Sequence, residues 1–144
     1  MGGQILNSHL NKVSQWAMFR STTATAKNGV VPLVLRGQDA TNSHLVFGGV
    51  VDLLPNKTYI ISAGLPNDSS TSSITVKNLG IQRSTDGGTT WSNIWGSGLS
   101  GATGATSAGT SVTDVYTATV PTKIRLNSGA KPLVAGVWLY LEVK

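Results

Sequence analysis

The amino-acid sequence predicts an all-β fold, a β-sandwich of about eight or nine short antiparallel strands. Three observations carry this prediction. Charged residues make up 12% of the chain, about half the usual level, and Glu142 is the only glutamate, whereas long solvent-facing helices draw on Glu/Lys pairs. Glycine, serine, threonine, asparagine and valine dominate instead, which is the chemistry of strands and turns. Short apolar runs then alternate with turn signals along most of the chain, as in a sandwich or barrel.

Residues 1–12 form a polar arm with one apolar pair, Ile5 and Leu6; the arm is expected to dock on a partner, and residues 13–144 to form a single domain. The first strand spans Val13 to Ser21. Its two alternating sets, Val13/Ala17/Phe19 and Trp16/Met18, are both apolar, so both of its faces need cover. Asn28-Gly29 marks a turn before Val30–Leu35, where Pro32 points to a sheet edge or an irregularity. His44–Leu54 reads as one strand, with Leu45, Phe47, Val51 and Leu53 on one side and His44 and Asp52 on the other. Pro55-Asn56-Lys57 turns the chain into Thr58–Ala63, where Tyr59, Ile61 and Ala63 share a face.

Pro66–Ser73 is a serine-rich loop. The strand Ile74–Arg83 changes phase near Asn78, which predicts a β-bulge. Gly96–Ser111 is almost wholly Gly, Ala, Ser and Thr and reads as a flexible loop; its Gly-X-Y triplets from Gly98, Gly101 and Gly104 are too few for a collagen helix. Tyr116, Ala118 and Val120 alternate in the next strand, and Thr122–Leu126 continues past Pro121. The last strand, Leu133–Lys144, places Leu133, Ala135, Val137, Leu139, Leu141 and Val143 on one apolar face. Its other face carries Trp138 and Tyr140, which solvent alone does not justify.

A chain of 144 residues without cysteine suits one domain held by packing, with no disulfide and no thiolate metal site. The net charge of +5 comes from a shortage of acids. Most cations stand singly, and Lys123 and Arg125, with Lys131 nearby, form the one local basic group, expected to be a solvated sheet face, with a phosphate or acidic-partner contact as the alternative. No nucleic-acid partner is expected. No apolar run approaches the roughly 20 residues that span a bilayer, and the first residues lack the pattern of a signal peptide.

Ser84-Thr85-Asp86-Gly87-Gly88-Thr89-Thr90-Trp91 matches the Asp-box pattern Ser-x-Asp-x-Gly-x-Thr-Trp. The expected physics is a closed hairpin: Asp86 accepts turn amides, Gly88 permits unusual dihedrals, and Trp91 packs beneath. Asp boxes resemble those of sialidases, where they repeat through a propeller and lie away from the catalytic centre. One copy here reads as a turn.

No catalytic set stands out. The two histidines, His9 and His44, fall in the arm and at a strand start. His44, Asp39 and a serine can be drawn as a triad, but serine is so abundant that the coincidence requires no function. Asp86, Asp114 and Glu142 show no spacing that favours a hydrolytic pair. Neither an enzyme activity, a metal nor a cofactor is expected. Trp91 and Trp95, beside the glycine-rich segment, are expected first to pack in a core or interface; they are also the candidate ligand contacts, with a host-surface glycan as the candidate ligand.

The segment Gly49-Val-Val-Asp-Leu-Leu-Pro-Asn-Lys-Thr-Tyr-Ile-Ile61, the Ser84–Trp91 hairpin and the Gly136–Val143 strand together resemble bacteriophage virion proteins: capsid decoration proteins, head fibres and fibre tips. Several of these have jelly rolls similar to tumour-necrosis-factor and complement-head trimers. The resemblance implies a jelly-roll-like β-sandwich with its first and last strands adjacent in one sheet. It also implies a non-enzymatic structural protein on the outer surface of a virion or fibre, bound to the major capsid protein or another virion protein. Ile5 and Leu6 are then the docking residues, and a homo-oligomer, a homotrimer first, forms through Trp16, Met18, Trp138 and Tyr140. A receptor- or carbohydrate-binding fibre tip is the alternative.

Overall fold

A computed structural model describes residues 15–38, 46–47, 49–67, 75–94, 99–103 and 110–144. The strands among them are β1 (Trp16–Ser21), β2 (Leu33–Gln38), β3 (Val46–Phe47), β4 (Val50–Leu53), β5 (Lys57–Leu65), β6 (Thr75–Ser84), β7 (Ser92–Asn93), β8 (Leu99–Thr103), β9 (Thr110–Ala118), β10 (Thr122–Ser128) and β11 (Trp138–Val143). Nine of these are four residues or longer, which agrees with the expected eight or nine. They form two antiparallel sheets, ordered β2-β1-β11-β5-β9 and β3-β4-β10-β6-β7, with β8 pairing β6.

The terminal strands lie side by side, as expected. Ala17 pairs with Leu141 and Phe19 with Leu139, and all four are fully buried. β11 therefore sits in the middle of its sheet, between β1 and β5, where its inward leucines face Val51, Ile81, Ile124 and Leu126 of the core. Each such side chain, fully buried, contributes roughly 1.5–3 kcal/mol. β2 takes the sheet edge, consistent with Pro32 just before it, because proline cannot donate to a ladder.

Between β4 and β5 the chain turns on Pro55 and on Asn56, whose φ is +60°. The Asn56 amide donates to the Ala118 carbonyl (2.6 Å). The buried Tyr59 hydroxyl accepts from the Leu54 amide at 2.9 Å, and burial pushes its phenol pKa up. One tyrosine thus fills the core and closes the turn.

Four sequence expectations are corrected. His44–Leu54 is not one strand: β3 and β4 form a hairpin in which Val46 pairs with Val51 and Phe47 with Val50. Gly49 turns it with φ +80°, and a Cβ there would sit 2.3 Å from the Val31 carbonyl oxygen. No bulge interrupts β6 near Asn78; its pairing with β8 ends at Leu79, where its pairing with β10 begins. The register shift that does occur lies between Met18 and Phe19, against β2.

The glycine-rich segment 96–111 is not simply a loop. Leu99–Thr103 is β8, paired along Thr75–Leu79, because ladder hydrogen bonds need backbone and not large side chains. The final strand starts at Trp138 rather than Leu133. Gly136, at φ +101°, breaks the alternation, and its amide donates to the Ser21 hydroxyl. Ala135 is left exposed.

Candidate functional site

Alternation along β1 and β11 sends one set of side chains into the core and the other outward. Pairing registers place the outward residues in three rows across the first sheet. One row runs Val34, Arg20, Trp138, Gly64. The next runs Gly37, Met18, Tyr140, Ser62, Thr113, and the third Trp16, Glu142, Ile60, Val115. Trp16, Met18, Trp138 and Tyr140 are thus brought together, and all four are only half-buried.

The aromatic groups lie close to the sheet. Trp16 stacks on Tyr140 with ring centroids 6.5 Å apart and planes 25° apart. Trp138 lies across Gly64: a Cβ built there would come 2.4 Å from the indole, so only glycine admits the ring in this position. Gly37 gives Trp16 similar room, with a built Cβ 3.4 Å from the ring. The Tyr140 hydroxyl donates to Glu142 Oε2 at 3.1 Å. Desolvation, followed by that carboxylate, raises the Tyr140 pKa.

Sequence reasoning missed how far this band extends. Val34, on the edge strand β2, is 44% exposed, and Val115, on the opposite edge strand β9, is 47% exposed. Ile60 joins them through its pairing with Val115 and Glu142. Their period-2 placement was readable; which face they shared with Trp138 depended on the registers. Hydroxyl pairs bridge β5 and β9 on the same face, Ser62 to Thr113 at 2.8 Å in the middle row and Thr58 to Thr117 at 2.9 Å beyond the third.

The second sheet carries the Asp-box hairpin on its outer side. Asp86 Oδ1 accepts from the Ser84 hydroxyl (2.7 Å), the Thr89 amide (3.1 Å) and the Thr90 amide (2.9 Å). The Thr90 hydroxyl donates to Oδ2. Gly87 and Gly88 have φ of +75° and +96°. These hydrogen bonds, Thr90 foremost, hold the Asp86 carboxyl well below the usual carboxylate range. The motif is a self-closed turn, as its sequence predicts.

Trp91 ends that turn with its indole N–H donating to the Gly88 carbonyl at 3.0 Å. The Arg125 guanidinium lies over the ring, 4.1 Å from its centroid. Beside it Lys123 pairs with Asp52 at 2.6 Å. These residues line a cleft of about 340 Å³. Trp91 therefore lies at a cleft on the sheet opposite the aromatic band; Ile5, Leu6 and Trp95 lie outside the described residues. At the sandwich edge Arg83 joins the sheets, donating to the Tyr116 hydroxyl at 3.0 Å. Among the described residues no group of three or more His, Cys, Asp or Glu could hold a metal.

Two antiparallel sheets with the terminal strands paired in one of them define a jelly roll of the tumour-necrosis-factor-like type. Three crystal structures of murine APRIL, at pH 8.0, 8.5 and 5.0, are similar to this chain with TM-scores of 0.65, 0.66 and 0.67. Each match covers 92% of this chain and 100% of the APRIL chain, at 11%, 12% and 10% identity respectively. At that identity the likeness concerns the fold alone. No protein-family model matches the chain, and no curated protein sequence matches it significantly.

Proposed function

We propose that this chain is a non-enzymatic structural protein that assembles as a homotrimer through the outer face of its first sheet. The observation that carries this reading is the outer face between Val34 and Val115, where the Trp16–Tyr140 stack, Trp138, Met18 and Ile60 lie together, with Arg20 and Glu142 as the charged residues among them. Obligate interfaces are apolar at their core and enriched in aromatic residues and methionine. Flat, half-buried rings on a rigid sheet lose little conformational freedom when a second copy covers them. Three copies, rather than two, follows the likeness to trimeric jelly rolls.

In its finer form the proposal places the trimer on a virion as a decoration protein, with residues 1–12 as the arm that binds the capsid. The glutamate-poor, Gly/Ser/Thr/Asn-rich composition supports that reading, as does an apolar pair, Ile5-Leu6, ahead of the first strand.

Light scattering tests the assembly. The expected mass is three chains of 15.0 kDa, and Trp138→Glu is expected to give a folded monomer by circular dichroism. A monomeric parent protein, or a variant that stays trimeric, overturns the interface. Deleting residues 1–12 tests the arm: the product should remain folded and trimeric but no longer sediment with particles.

A further inference from the structure

The outer face of the second sheet carries two depressions, one on each side of a joined pair of side chains. Arg125 Nε donates to Gln82 Oε1 at 2.8 Å, directly across the β10–β6 ladder. On one side lies the 340 Å³ cleft of Trp91, Arg125, Lys123 and Asp52. On the other lies a depression of about 350 Å³, lined by the amides of Asn78, Gln82, Asn93 and Asn127 over Gly80 and Gly129. We propose that this groove binds an acidic saccharide, with the sugar carboxylate on Arg125 and ring hydroxyls on the amide-lined side.

Arg125 is held for that task from two directions. Its Nε is tethered by Gln82 and its planar face rests on Trp91, whose own N–H is fixed on Gly88. A guanidinium fixed at Nε and on one face still presents donors along its remaining edge, and a carboxylate fits such an edge with two parallel hydrogen bonds. Among the described residues no carboxylate lies within ion-pair distance of it, while Asp52 pairs with Lys123. Partial burial, which pushes the Arg125 pKa down, strengthens its attraction for an anion by displacing water.

The rest of the groove selects the class of acid. The Asn93 and Asn127 amides each present both a donor and an acceptor to this depression, which matches the vicinal hydroxyls of a sugar, while Gln82 is engaged by Arg125. Gly80, on the groove floor, carries no side chain: a Cβ there would lie 3.4 Å from Asn93 Oδ1. Two cations and one acid, Asp52, line the cleft. That balance suits a singly charged carboxylate better than a polyphosphate, which would meet Asp52 at close range. The site lies on the sheet opposite the proposed trimer interface, so either proposal can fail without the other.

The test is an NMR titration of the labelled protein with sodium glucuronate and a diuronic acid, with glucose and sodium acetate as controls. Both acids should shift the Arg125 Nε–Hε, Trp91 indole and Asn127 side-chain signals, the diuronic acid more tightly. Glucose and acetate should each bind at least about tenfold more weakly, a difference of about 1.4 kcal/mol. Arg125→Gln should abolish the shift for glucuronate. Asn93→Ala, at an exposed position, should weaken the diuronic acid while leaving the fold unchanged. No response to either acid overturns the proposal, as does an unchanged affinity in Arg125→Gln. Acetate binding as well as glucuronate overturns the saccharide.

Discussion

Trp16 and Tyr140 stack across neighbouring strands that come from opposite ends of the described chain, 6.5 Å apart between ring centroids. Their contact records the closure of the fold, because it exists only when β1 and β11 pair in one register: Met18 opposite Tyr140 and Trp16 opposite Glu142. A slip of β1 by one residue would turn Trp16 into the core and the buried Ala17 outward, separating Trp16 from Tyr140. The same register that fills the core thus builds the outer band.

Gly64 should tolerate no side chain while Trp138 stays in place. A Cβ would meet the indole at 2.4 Å, so Gly64→Val must lift the ring off the sheet. Overpacking of this kind costs about 1–3 kcal/mol, measurable by urea denaturation. The same variant should reduce the trimer fraction in light scattering, whereas a stable and fully assembled Gly64→Val protein would show that the flat ring is unimportant.

Tyr59→Phe should lower stability by about 0.5–1.5 kcal/mol, the usual net worth of one hydrogen bond. The ring stays and fills the same volume, but the Leu54 amide loses its 2.9 Å acceptor. Chemical denaturation measures the change. An effect confined to protection of the Leu54 amide in hydrogen exchange, with global stability unmoved, would show that the turn opens independently of the core.

Asp86→Ala should lower the melting temperature at neutral pH and leave assembly intact. The folded carboxyl titrates below its unfolded value, held down first by Thr90. Its contribution is therefore fully present above the unfolded pKa of about 3.9 and is lost as pH falls through the folded value. The gap in melting temperature between parent and variant should be constant from pH 7 to about pH 5 and narrow only in stronger acid. A gap that closes near neutral pH would mean that another group is responsible.

Lys123→Met should change stability by less than about 1 kcal/mol, because both side chains of the Lys123–Asp52 pair are open to water and exposed pairs of this kind are worth little. Their side-chain exposures are 37% and 47%. Urea denaturation at low and high salt distinguishes this from a structural role. A larger loss would identify the 2.6 Å contact as a brace between β4 and β10.

The order of residues along the chain by itself determined the class of fold, the turn at Pro55–Asn56, the closed Asp-box hairpin and the doubled apolar faces of the terminal strands. Each depends on neighbours a few positions apart: alternation decides which residues share a strand face, and Asp86 finds its donors within four residues. Tertiary structure decided what local pattern does not contain. Leu99–Thr103 became a strand only because the edge of β6 was there to receive it; after Leu99 its residues are Ser, Gly, Ala and Thr, which announce no such partner. His44–Leu54 lost its single-strand reading because Gly49 turns the chain back to pair Val46 with Val51. Arg125 met Trp91 because β10 runs beside β6 beneath the hairpin, and Val34 joined Val115 on one face through three intervening strands. Alternation assigns a side to each residue, but which strands become neighbours is set by the packing of the whole chain, and both surface sites are made from that choice.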